Sequence, residues 1–264
     1  MLTLKNVRKT FNPGTVNEKV ALDELNLHLD KGDFVTVIGG NGAGKSTMLN
    51  MIAGVYPLDS GTVTLDGHDI SRLSEHARAK YLGRVFQDPM RGTAADMQID
   101  ENLALAKRRG QRRTLRWGIT REEHTEYQEA LATLGLGLES RLSDKVGLLS
   151  GGQRQALTLL MATLKEPDLL LLDEHTAALD PKTAAKVLEL TQQVVERSGL
   201  TTLMVTHNMH DAIRMGNRLV MMADGRIIYD VRGEEKARLH RADLMAKFEE
   251  AAGAEFANDR MLLG

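Results

Sequence analysis

The chain has 264 residues, a formal net charge of −2 and an apolar fraction of 42%, so it can bury a sizeable core and carries no global basic field that would draw nucleic acid. It has no cysteine, which excludes disulfides, thiolate metal sites and cysteine nucleophiles. Residues 1–5 lack the apolar run of a secretion signal, and no stretch approaches the roughly 18 apolar residues of a membrane-spanning helix, so any membrane role is expected to come through a partner.

Leu2, Leu4 and Val7 open a strand, Asn12 to Thr15 reads as a turn, and Leu25 to Leu29 alternates as a half-buried antiparallel strand. The apolar run Phe34 to Ile38 reads as a buried strand, followed by a glycine-rich loop and a helix from near Lys45 to Ala53. Thr62 to Leu65 is predicted as a strand ending in an Asp66-Gly67 hairpin signal. Arg84 to Gln87 is predicted as a strand broken by Asp88-Pro89. Residues 88–150 read as an inserted helical region, with helical spacing over Ile99 to Ala106 and His124 to Leu136. A largely apolar helix is predicted from Gln155 to Leu164, and the run Leu169 to Leu172 has the character of a central parallel strand. A helix starting on Pro181 extends to Arg197, Thr201 to Thr206 is a further buried strand, and Arg218 to Ala223 with Arg226 to Asp230 forms a hairpin through Asp224-Gly225. The tail, Glu234 to Ala252, places Leu239, Leu244 and Phe248 on roughly one helical face.

The strongest chemical signal is Gly39-Gly40-Asn41-Gly42-Ala43-Gly44-Lys45-Ser46-Thr47 between that strand and that helix. Strand, glycine loop, Lys-Ser and helix is the context in which backbone N–H groups cradle phosphate oxygens. The helix adds its positive dipole end. Lys45 is expected to reach the β- and γ-phosphates, and Ser46 to hold Mg²⁺. The plain alternative, a flexible glycine turn, does not account for the Lys-Ser pair or for both flanks.

Three apolar strands end in chemically useful residues: Gln87, Asp173-Glu174 and His207. Ligands of parallel α/β sheets gather at the carboxyl ends of strands, where the phosphate loop also lies. Asp173 is the expected carboxylate for the Mg²⁺ water shell, and Glu174 is placed to accept a proton from attacking water, although by itself it reads equally well as a solvated carboxylate. His207, His210 and Asp211 also admit a metal-site reading, set aside because Mg²⁺ is furnished elsewhere. Ser150-Gly151-Gly152 precedes a helix and so offers a second N-terminal anion site.

Leu149-Ser150-Gly151-Gly152-Gln153 resembles the signature sequence of ATP-binding cassette ATPases, and from Phe11 to about Asp230 every motif of that family stands in order. The resemblance implies an α/β P-loop NTPase fold with a mostly parallel RecA-like core, an N-terminal antiparallel β-subdomain and an inserted α-helical subdomain. On that basis residues 1–233 are expected to form the ATPase domain, with the helical insert at about 88–150, and residues 234–264 a short helical tail. The resemblance also implies ATP and Mg²⁺ as ligands. Gly39 to Thr47 is similar to the family's Walker A, Gln87 to its Q-loop glutamine (a further Mg²⁺ contact), Leu169 to Glu174 to its Walker B with catalytic glutamate, Ala178 to Asp180 to its D-loop, and His207 to its switch histidine. Phe11 falls where the family stacks an aromatic on adenine. Ser150, Gly151, Gly152 and Gln153 are then expected to meet the nucleotide of a second copy, in a head-to-tail homodimer with ATP sandwiched between subunits, and Asp180 is expected among the nucleotide-binding residues. His175 and Ala177 depart from the family's usual proline and serine, which bears on coupling between subunits.

A single cassette without a membrane span resembles an importer's energy-coupling subunit. The implied partners are integral-membrane permease subunits and an extracytoplasmic substrate-binding protein, with the cassette on the inner face of the cell membrane. The string Leu172 to Pro181 resembles a bacterial subgroup with members assigned to tryptophan or tyrosine uptake. The alternative is a soluble non-transport cassette such as an iron–sulfur assembly ATPase. The basic stretch Lys107 to Arg116, followed by Trp117, reads as a solvated loop or as a surface for anionic lipid.

Overall fold

The computed structural model describes residues 1–111 and 118–252. The chain forms β1 (Leu2–Phe11), β2 (Lys19–Leu29), β3 (Phe34–Gly39), α1 (Lys45–Ala53), β4 (Ser60–Leu65), β5 (His68–Asp69) and α2 (Glu75–Arg78). Then come β6 (Leu82–Val85), α3 (Ile99–Lys107), α4 (Arg121–Ala132), α5 (Gly151–Thr163), β7 (Leu169–Asp173) and α6 (Pro181–Ser198). It closes with β8 (Thr202–Val205), α7 (Met209–Arg214), β9 (Arg218–Ala223), β10 (Arg226–Arg232), α8 (Gly233–Ala237) and α9 (Arg241–Ala252). Two compact units result: Met1–Arg78 with Leu200–Gly264, and Ala79–Gly199.

In the first unit β1 pairs antiparallel with β2 and β4, and β5 completes the order β2-β1-β4-β5. Leu2, Leu4, Leu27, Leu29, Val63 and Leu65 alternate inward, and His28, Asn26 and Lys5 point to solvent. The register shifts between Leu4 and Val7, where Asn6 sits at φ 48°, and Glu24 does the same to β2 at φ 49°. These bulges reverse the alternation. They explain why β2 begins at Lys19, six residues before the Leu25 at which strict alternation becomes visible.

The same unit carries β3, parallel to β8 on one side and to β9 on the other, with β10 antiparallel to β9. All six residues of β3 are buried, as a central parallel strand requires. Leu244 and Phe248 of α9 are buried in one cluster with Ile38, Met209, Leu219, Met221 and Val231, and Leu239 packs against it. The Lys236 ammonium of α8 donates to the carbonyls of Met215 and Gly216, at the C-terminus of α7.

In the second unit β6 and β7 pair in parallel, and Leu169 to Leu172 are completely buried. Local capping chemistry moves several boundaries from the periodicity. A capping box between Thr120 and Glu123 starts α4 at Arg121 rather than His124, and Gly135 and Gly137, both at positive φ, follow its end at Ala132. A second box between Ser150 and Gln153 starts α5 at Gly151, four residues before the expected Gln155. Strand β6 ends at Val85, so Phe86 and Gln87 lie beyond it rather than within it.

Of the basic stretch, Lys107 pairs with Glu126 and Arg108 with Glu123, and Arg109 donates to the carbonyls of Ala162 and Lys165 near the end of α5. These three cations have internal partners, which argues against a free lipid-facing surface there. Arg112, Arg113, Arg116 and Trp117 lie outside the described residues. Among the described residues no helix is long and apolar enough to cross a membrane.

Candidate functional site

The phosphate loop belongs to the first unit. Strand β3 delivers Gly39, the chain turns through Gly40 to Ala43, and α1 begins at Lys45. Gly44 sits at φ 97°, and a Cβ there would lie 2.5 Å from the Ala21 carbonyl oxygen. Only glycine fits that conformation and that approach. The N-cap of α1 makes no side-chain hydrogen bond, and its first turn holds no acidic residue. The helix therefore keeps its N–H groups and positive dipole end available for an anion. Lys45 is 7% exposed, with Nζ donating to the carbonyls of Gly39 at 2.7 Å and Gly40 at 2.9 Å, so the ammonium is held at the loop. Ser46 and Thr47 follow in the first turn of α1. Glycine cradle, bare helix end and confined cation suit a chain of phosphates.

Phe11 ends β1 and meets Tyr56 edge to face, with ring centroids 5.2 Å apart, and Lys9 Nζ lies 5.7 Å from its ring. His207 follows β8 as an exposed residue. Its neighbours are fixed on both sides: Thr206 Oγ1 accepts from the Asn208 amide, and the Asn208 side chain accepts from His210 and Asp211 to cap α7. Helix α7 has six residues, too short for a periodicity to show. The cap Asn208 is the signal that would have found it.

The second unit carries Gln87, Asp173, Glu174, Asp180 and the Ser150 to Gln153 turn. Gln87 is exposed in the loop after β6. Asp173 ends β7 and lies 3.8 Å from the Arg84 guanidinium of β6. Glu174 adopts the left-handed conformation at φ 44°, sparsely populated for a non-glycine residue. His175 follows, 1% exposed, with Nε2 3.0 Å from Thr191 Oγ1 on α6, and burial pushes its imidazole down to about 4. Asp180 caps α6 by accepting from the Thr183 amide at 3.1 Å, and hydrogen bonding to the Thr183 side chain first, and to its amide second, holds the Asp180 carboxyl below the usual range.

Ser150 caps α5, its hydroxyl accepting from the Gln153 amide at 3.3 Å while the Gln153 side chain accepts from the Ser150 amide at 3.2 Å. Gln153 is thus held by the helix start. A Cβ on Gly152 would lie 2.1 Å from Thr183 Cγ2, so that glycine lets α5 pack on the start of α6. Gln155, completely buried, donates to the Phe86 carbonyl at 3.1 Å and ties α5 to the residue before Gln87. Neither Gln155 nor Thr191 stands out in the sequence, because each is a single polar residue inside a helical pattern with a distant partner.

A phosphate loop in this setting defines the class of P-loop nucleoside triphosphatases. A family model described as ABC transporter matches residues 22–177. The tyrosine transport ATP-binding protein of Clostridioides difficile (strain R20291) is 43% identical over 95% of this chain and 100% of its own length. The spermidine/putrescine import ATP-binding protein PotA of Haemophilus influenzae is 31% identical over 87% of this chain, which spans only 57% of that relative's length. Among solved structures, a dimeric post-hydrolysis state of the ATP-binding cassette MJ0796 bound to ADP and Pi is similar at a TM-score of 0.75 and 31% identity, covering 88% of this chain and 98% of that one.

The chain belongs to the ABC transporter family, as an ATP-binding subunit whose ATP hydrolysis is coupled to transport. The relatives lend no support to a non-transport cassette. Subunits of this kind generally dimerise and pair with membrane permeases.

Proposed function

We propose that the chain powers import of an aromatic amino acid, tyrosine or a close analogue, as the ATPase of a permease complex on the inner face of the cell membrane fed by an extracytoplasmic binding protein. The observation that carries this reading is the 43% identity to the tyrosine transport relative over that protein's whole length. Residues 1–233 serve as the ATPase domain, with the helical insert at about 88–150, and residues 234–264 as its tail.

ATP stacks its base on Phe11 and lays its phosphates on the amides of Gly39 to Thr47, with Lys45 neutralising the β- and γ-phosphates. Ser46, Asp173 and Gln87 are the residues that would hold Mg²⁺; hydroxyl, carboxylate and amide oxygens are the donors a hard cation takes when phosphates and water complete its shell. When bound, that ion would supply neutralisation of the charge that develops on the phosphoryl oxygens. Glu174 accepts the proton of the attacking water as the bond to ADP breaks, and His207 donates a hydrogen bond to the γ-phosphate. Ser150, Gly151, Gly152, Gln153 and Asp180 serve the nucleotide of the second copy.

The test replaces Lys45 by Ala. The purified variant should lose ATP turnover and the thermal stabilisation given by Mg-ATP. In the native host it should lose uptake of radiolabelled tyrosine and keep uptake of spermidine. Turnover like wild type would overturn the site; a lost turnover with unchanged tyrosine uptake would overturn the substrate.

A further inference from the structure

Glu174 is bracketed by two fixed points. On one side β7 is immobilised, since Leu169 to Leu172 are completely buried and paired with β6. On the other side the Ala177 amide donates to the Glu174 carbonyl at 2.9 Å, closing a turn, and His175 enters the interior. Between them Glu174 sits at φ 44°. A non-glycine residue stays in that region only when its surroundings over-determine it.

The next residue, His175, is anchored by its hydrogen bonding. Thr191 Oγ1 donates its single proton to the Val187 carbonyl at 2.8 Å. It therefore accepts from His175, which fixes the proton of the ring on Nε2. Nδ1 is then a bare acceptor, buried and without a hydrogen-bond partner among the described residues. An apolar side chain of similar size would fill the space without leaving an orphaned acceptor. The ring's polar end is thus spent on one contact, to the middle of a helix whose start is secured by the Asp180 cap.

We infer that His175 is a positioning residue: through its hydrogen bond to Thr191 it holds Glu174 in the left-handed conformation from which the carboxylate takes the proton of the attacking water. The inference rests on the reading of Glu174 as the base.

The test uses the full chain and separates holding from packing. Thr191→Val keeps the shape and removes the acceptor; Thr191→Ser keeps the hydroxyl. Thr191→Val should lower kcat by about tenfold or more, because a base displaced by a fraction of an ångström loses much of its effect. The KM for ATP, and the affinity for a fluorescent ATP analogue measured without Mg²⁺, should stay within about twofold of wild type, since neither reports the base. Thr191→Ser should recover most of the rate. A second pair repeats the comparison from the other side: His175→Gln, whose Nε2 can still donate to Thr191, should retain turnover that His175→Leu loses. In a Glu174→Gln background, single-turnover measurement should find no further loss from Thr191→Val, because the group being positioned is gone. Wild-type kcat in Thr191→Val beside an inactive Glu174→Gln overturns this inference alone, as does an equal fold-loss in both backgrounds. Full turnover by Glu174→Gln overturns the base assignment and this inference with it.

Discussion

At Gly44 backbone geometry and ligand chemistry coincide in a single residue. A side chain there meets two obstacles, the left-handed φ of 97° and a backbone oxygen 2.5 Å from the Cβ position. The first costs about 1–2 kcal/mol, and the second cannot be relieved by rotating a side chain. Gly44→Ala should therefore lower the thermal midpoint by about 4 °C or more, at the roughly 2–4 °C per kcal/mol expected of a chain this long, and should abolish ATP binding. Calorimetry and nucleotide titration check both. A stable Gly44→Ala protein with wild-type affinity would show that the loop does not hold the phosphates as described. Gly39 to Thr47 was legible in the sequence because a phosphate cradle demands glycines and a cation at fixed spacing. Thr191 was not, because it touches His175 sixteen residues away and nothing local marks it. His175 stood out only as a departure, and its buried, tautomer-specific hydrogen bond emerges from the packing.

Elements were legible in proportion to how far local periodicity decided them. Fully buried runs such as Phe34 to Ile38 and Leu169 to Leu172 appeared in place, whereas β2, α4 and α5 begin where bulges or capping boxes put them. The tail is the informative case at this scale. Its apolar spacing marked Leu244 and Phe248, and the structure buries both against α7 and the end of β3. Leu244 is completely buried, so Leu244→Ala should destabilise by about 2–5 kcal/mol in denaturant unfolding. An unchanged midpoint would mean that α9 is not part of this core. Nothing local marked Lys236, which is 2% exposed and caps the carbonyls at the end of α7. Burial pushes its ammonium down to about 8. The unfolded chain holds that proton up to its ordinary value of 10.5, so between about pH 8 and 10.5 folding releases a proton and stability rises with pH. The full penalty is present below pH 8. At 1.36 kcal/mol per pKa unit the rise is on the order of 3 kcal/mol, and Lys236→Met should lack it. Unfolding by urea at pH 7.5 and pH 10 for both proteins checks the difference of slopes.

For the whole molecule the sequence supplied the order of the motifs but not the assembly that uses them. One chain carries two glycine-flanked helix N-termini, the uncapped one of α1 after Gly44 and that of α5, which Ser150 and Gln153 cap, and they belong to different compact units. In the proposed function the second serves a nucleotide held on another copy, and the similar MJ0796 cassette is a dimer. In that proposed arrangement ATP would favour the closed dimer by the extra contacts it makes there, and hydrolysis would release it. Glu174→Gln keeps the shape of the base and removes its function, so ATP should still bind and the closed dimer, transient in wild type, should accumulate. Adding Ser150→Arg pushes bulk and a cation into the pocket of the γ-phosphate and its metal, and should abolish the trapped dimer. His207→Ala should stop turnover by removing a contact made as the phosphoryl group transfers, while sparing ATP binding. Gel filtration with light scattering, with and without Mg-ATP, reads the dimer directly, and turnover is measured on the same samples. A Glu174→Gln protein that stays monomeric at saturating ATP, alone and in complex with its permease, would overturn the arrangement in which Ser150 completes the site of a second copy.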